Sequence, residues 1–229
     1  MTELFHLQET RLKRTAFDIV ENEKQAEAIK NIRPDMDIVM TKWAGLYASV
    51  ILATHFKKEL CERFSESYVN RSLKLSEYVS TDPEIKILTE LGIDSYARVK
   101  TGGVFSTIYE MLKPSDTGCE VFLPDIPILQ ETIEFAECFG LNPYMILGTG
   151  SVIVVCENGL KLTRIFEEQG ISANVIGCTT KEKARRIVIP IVDEDDISVI
   201  GKTRRRHKRE ERQLTPVRSD AVAELAGLN

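Results

Sequence analysis

The chain has 229 residues, 43% hydrophobic and 28% charged, with a formal net charge of −5. That length can bury a substantial core, as one large domain or one domain with appendages, and the acidic balance argues against a general nucleic-acid binder. Five cysteines, odd in number and without CxxC spacing, signal neither a disulfide framework nor a zinc site, and read as reduced thiols of a cytoplasmic protein.

Residues 1–30 read as helix, with "ENEKQAEAIK" rich in helix formers and Phe17, Val20, Ala26 and Ile29 as a weak stripe. The start has no apolar core of the kind a signal peptide needs. Arg33-Pro34-Asp35 breaks the pattern. "DIVMTKW" (37–43) then predicts a strand. After Gly45, Leu46, Val50, Ala53 and Leu60 predict one helix of about four turns. A further helix is expected from Ser65, with Tyr68, Leu75 and Val79 on one side.

"TDPEIKILTELG" is helical, with Asp82 as the cap, Pro83 at the first position and Gly92 as the stop. Tyr96–Val99 is strand-like, 104–112 helical, and "CEVFLP" strand-like. "ILQETIEFAECFG" places Leu129, Ile133, Ala136 and Phe139 on one helix face. "SVIVVC" is a buried strand, too short to cross a bilayer. The helix after it is capped by Asn158, buries Leu162, Ile165 and Phe166, and stops at Gly170. "SANVIGC" and "RRIVIPIV" are two more strands. From 96 to 178 strands and helices alternate, which implies a layered α/β (α+β) domain with helices covering a sheet. The opposite charge runs at 192–196 and 202–212 read as solvated loop or edge-strand residues. Without an interleaved aromatic, the basic run is a poor nucleic-acid arm.

"YARVKTGGVFSTIYEML" (96–112) has the outline of a phosphate cradle, a strand stopping at two glycines and becoming a helix. Two readings stand. The amides at the helix start, with Arg98, Lys100 and Thr101 beside Gly102 and Gly103, would attract a phosphate or other anion directly, without a metal. Alternatively the glycines only let the chain turn tightly, which is the simpler reading. "GTGS" (148–151), with Thr149 and Gly150, poses the same choice. Trp43, the only tryptophan, reads as a packing residue, and Cys156 and Cys178 as inert core thiols. His6, His55 and His207 are not at metal-ligand spacing.

Several stretches, taken together, resemble the C-terminal domain of the AIR synthase-related superfamily, in its hydrogenase maturation factor-like branch. They are "DMDIVMTKWAGL" (35–46), "GGV" (102–104), "LPDIPILQETIEFAECFGLNPYMILGTGSVIVV" (123–155) and "GISANVIGCTT" (170–180), with "RQLTPVRSDAVAEL" at the end. The likeness covers about 34–220, leaving 1–33 as a helical extension and 221–229 as a tail. It implies ATP-dependent chemistry with magnesium, the metal held by carboxylates of an N-terminal domain that this chain is expected to lack. Where the family's loop reads Asp-x-Thr/Ser-x-Gly-Gly, Arg98 takes the acidic place and Lys100 the hydroxyl place. The chain also ends in "AGLN" rather than the hydrogenase factor's cysteine. The expectation is a catalytically incomplete binding or partner protein, with no cofactor of its own and no ATP hydrolysis alone. Two alternative functions stay open, an enzyme subunit completed by a separate N-terminal-domain partner and a sensor of a small phosphorylated ligand or nucleotide, and a homodimer is a further possible partnership.

Overall fold

The computed structural model describes residues 20–190, 209–213 and positions 222, 225 and 226. Its sheet has seven strands: β1 (Asp37–Thr41), β2 (Tyr96–Arg98), β3 (Gly118–Phe122), β4 (Val152–Cys156), β5 (Ala173–Thr180), β6 (Arg185–Pro190) and β7 (Arg209–Gln213). The spatial order is β2-β4-β1-β5-β3-β6-β7. Every pairing is antiparallel except β3 with β6. Thus the expected alternation from 96 to 178 is present, and part of the basic run (209–212) belongs to the edge strand β7. The acidic run 192–196 and the segment 1–19 lie outside the described residues.

Eight helices are described: α1 (Glu23–Lys30), α2 (Leu46–His55), α3 (Lys57–Cys61), α4 (Glu66–Leu73), α5 (Asp82–Glu90), α6 (Gly103–Leu112), α7 (Gln130–Cys138) and α8 (Gly159–Glu168). Because side chains alternate along a strand, β1 and β4 feed both faces of the sheet. Ile38, Met40, Ile153 and Val155 join Ile29 of α1 and Val104, Phe105 and Ile108 of α6 in one core. Val39, Val152 and Val154 join Leu88 of α5 and Leu162 and Phe166 of α8 in a second. A third core, around Leu52, Leu60, Phe135 and Ile146, holds α2, α3 and α7 together.

Three local expectations are corrected. The single helix from Leu46 to Leu60 is two, because Phe56 leaves helical geometry at φ −118° while its ring packs 5.0 Å from that of Phe139. The cap of α5 is Thr81; Asp82 is instead the first helical residue, where its charge suits the helix dipole. The buried face of α7 is Thr132, Phe135 and Ala136, with Ile133 exposed. Thr132 takes a core place because its hydroxyl shares a 2.7 Å hydrogen bond with Ser49, a polar pair that apolar periodicity cannot reveal.

Candidate functional site at one end of the sheet

Thr41 ends β1, Arg98 ends β2 and Val152 begins β4, and the pairing puts all three at one end of the sheet. Two strand-to-helix turns leave from here. One follows β2 into α6 through Gly102 (φ 80°) and Gly103 (φ 65°). The other follows β1 into α2 through Lys42 (φ 53°) and Gly45 (φ 63°).

Both helix starts press on the same loop, 142–148. The amide of Val104 donates to the Tyr144 carbonyl at 3.0 Å, and that of Ala48 to the Leu147 carbonyl at 3.0 Å. The amide of Gly103 donates to the Lys100 carbonyl. Hence the Gly103 and Val104 amides, which would face an anion at an open helix end, are spent on the protein's own carbonyls. The contact explains why Gly103 is glycine. A Cβ there would lie 2.4 Å from the Tyr144 oxygen and 2.7 Å from that of Ile146. The loop is held in turn by stacking of Tyr144 on Phe105, centroids 5.6 Å apart, and by the Asn142 side chain accepting from the Tyr144 amide. Burial raises the pKa of the Tyr144 hydroxyl.

Of the residues picked out by sequence, the structure gathers Lys100–Gly103 and Thr149–Gly150. The Lys100 carbonyl accepts from the Gly148 amide at 3.4 Å, which places the two glycine turns side by side. Thr101 and Thr149 are half-buried on them. Gly150 (φ 112°) lets the chain pass beneath Leu46 and the Tyr78 carbonyl, 2.5 and 3.1 Å from where a Cβ would be. Arg98 is directed elsewhere. Ala97 and Val99 point to the core that contains α6, so Arg98 shares Tyr96's face, on the side of α5. There its guanidinium bonds Glu21 at 2.8 Å, donates to the Thr81 hydroxyl and lies 3.9 Å from Asp82. Cys119 and Cys156 are core thiols whose burial pushes their pKa up to about 12 and about 11, and burial also raises Cys178. Such thiols stay protonated and poorly nucleophilic at neutral pH. Trp43 packs edge-on against Tyr78 at 5.4 Å.

Sequence reasoning missed the most polar feature of this end. Lys42 Nζ lies 2.8 Å from Glu84 Oε1, with the side chains 9% and 0% exposed. The same ammonium donates to the carbonyls of Tyr78 (2.9 Å) and Ser80 (2.6 Å). Thr41 takes the Val152 amide at 3.0 Å and directs its own hydroxyl toward Glu84 Oε1 at 3.4 Å. Glu84 Oε2 is buried and accepts no hydrogen bond from a described residue. One signal was available: Lys42 is the sole charge between Ile38 and Val50. Nothing distinguishes Glu84 from the other acids of α5. At the opposite end of β4, a groove of about 440 Å³ runs between α1, α5 and α8, with Asp94, Glu157 and Lys161 on it, and it includes none of the candidate anion-site residues at 98–103 and 149–150.

Residues 86–190 match the family described as AIR synthase related protein, C-terminal domain. A hydrogenase expression/formation protein of Methanocaldococcus jannaschii is 32% identical over 95 residues, 40% of this chain and 28% of that protein. Among solved structures, E. coli HypE superposes with a TM-score of 0.54 at 13% identity, over 84% of this chain and 53% of that one. HypE in complex with ATP gives 0.54 at 15% identity, over 85% and 54%. A HypE–HypF complex gives 0.51 at 19%, over 72% and 54%. These structural likenesses establish the fold. The sequence match over residues 86–190 makes the C-terminal domain of AIR synthase related proteins the family this chain resembles. The curated relative and the solved chains cited are hydrogenase expression/formation or maturation proteins. This chain spans about half the length of the solved chains cited and 28% of the curated relative.

Proposed function

We propose that this chain acts as a binding or partner domain and does not itself perform phosphoryl chemistry. The observation that carries this reading is the filled helix start at Gly102-Gly103. Its Gly103 and Val104 amides already serve Lys100 and Tyr144, and Arg98 is already committed to Glu21 and Thr81. Phosphoryl transfer needs donors and metal ions aimed at the triphosphate, and this end of the sheet aims its donors inward. Partner binding falls instead to the outer surface of the same end, where Trp43 and the 47%-exposed Tyr78 flank the glycine turns.

A second reading is favoured by one observation: HypE chains of about twice the matched length include one solved with ATP. On that reading the chain is one part of an ATP-dependent enzyme and a separate polypeptide supplies the rest. A third reading keeps the Arg98–Gly103 loop, with Thr149 and Gly150 beside it, as a small-phosphate sensor. The test is a thermal-shift screen of nucleotides and phosphorylated metabolites with and without magnesium, run beside an ATP turnover assay. The expected result is no turnover by the chain alone and no magnesium-strengthened shift. Turnover abolished by Gly102→Ala or Gly103→Ala would overturn the proposal. A metal-independent shift with inorganic phosphate would favour the sensor.

A further inference from the structure

The surroundings of Lys42 Nζ are three oxygens: one carboxylate oxygen of Glu84 and the main-chain carbonyls of Tyr78 and Ser80, at 2.8, 2.9 and 2.6 Å. Carboxylate and carbonyl oxygens converging on one buried point make a donor set suited to a bare cation. Those distances are too long for magnesium, which takes oxygens at about 2.0–2.1 Å, and mostly longer than calcium's roughly 2.3–2.6 Å. They suit a larger monovalent ion, whose hydration shell carbonyl oxygens can replace. A fourth oxygen, Glu84 Oε2, is buried beside them and accepts nothing from the described residues.

The lysine itself is held at some expense. Its backbone sits at φ 53°, where a residue with a Cβ is disfavoured, and its stem is almost wholly buried. A compact ammonium on a flexible stem is the side chain that best imitates a monovalent ion. We propose that the oxygen cage of Glu84, Tyr78 and Ser80 is a monovalent-cation site, which this chain fills with the tethered ammonium of Lys42. The tether secures segment 78–84 across the ends of β1 and β4 without recourse to a dissolved ion.

Removing the tether while leaving the oxygens tests this. Lys42→Gly empties the cage and also suits the left-handed backbone. Its thermal midpoint is expected to rise with potassium or ammonium chloride at fixed ionic strength, by about 3 to 5 °C per tenfold above half-saturation. Lithium and tetramethylammonium, too small and too large, should give no rise. Wild type and Lys42→Met, in which the side chain still occupies the cage, should not discriminate among these salts. The Lys42→Gly, Glu84→Gln double variant should lose the response. A folded Lys42→Gly protein equally stable in all four salts overturns the proposal. If that variant does not fold in any of them, the wild-type protein labelled with ¹⁵N-lysine decides. An ammonium signal protected from solvent exchange at neutral pH supports the cage, and exchange as fast as that of a surface lysine overturns it.

Discussion

The two turns that leave this end of the sheet solve one geometric problem with different chemistry. Both carry a strand into a helix, both need left-handed backbone, and both rest on loop 142–148. The β2–α6 turn uses two glycines, so backbone packs directly on backbone and no side chain intervenes. The β1–α2 turn accepts a lysine in the left-handed region and offsets the strain with a buried ion pair. A glycine turn is kept by shape and tolerates no added atom. A charged turn is kept by a partner and fails when the partner is left alone.

The largest effect should come from unpairing the charge. Lys42→Met leaves the Glu84 carboxylate buried and uncompensated, and is expected to lower stability by about 3–5 kcal/mol. Against a typical total of roughly 5–15 kcal/mol, urea unfolding would show it plainly. Lys42→Met, Glu84→Leu should recover most of the loss, since neither charge then remains. If the double variant is no better than the single, the pair is not what holds this turn.

Gly103→Ala comes next, at about 2–4 kcal/mol from left-handed strain plus overlap with two backbone oxygens. Gly45→Ala meets a side-chain methyl first, Thr132 Cγ2 at 2.7 Å, which can shift more easily than main chain. The expected loss is smaller, about 1–2 kcal/mol. Equal losses at Gly45 and Gly103 would break the argument that loop backbone, rather than mere handedness, makes Gly103 glycine. Arg98→Ala should be the mildest, under about 1 kcal/mol, because its pair with Glu21 is about a third exposed, its pair with Asp82 is more exposed still, and both are screened. A larger fall would mean that this arginine, like Lys42, anchors segment 78–84.

The alternation of strands and helices was readable because β4 and α8 carry their own signals, a continuous apolar run and an Asn158 cap. The neighbouring glycine turns were readable as turns, since two adjacent glycines or a GTGS step have few other uses. What could not be read is direction. Arg98 precedes the glycines by only a few residues, yet strand alternation turns it to the other face, toward Glu21 and Asp82. The Lys42–Glu84 pair joins the turn after a strand to a helix start 42 positions on, one fewer than the Thr41–Glu84 contact beside it, and only the fold brings such residues together. Thr132 was hidden for a related reason: its partner Ser49 is 83 positions away.

The place of β1 in the sheet sets a timetable for making the protein. It is an early strand in the chain, but it lies between β4 and β5, which are made much later. Val152, which bonds Thr41, follows it by 111 positions. At ordinary ribosome speeds the apolar run Ile38–Met40 therefore waits on the order of ten seconds for its neighbours to emerge. Through that interval its edges are open to any other extended chain, and loop closure over such a distance is slow even afterwards. Folding of this chain in the cell should thus depend on whatever shields a nascent strand, and its yield should fall as translation slows between residues 41 and 152.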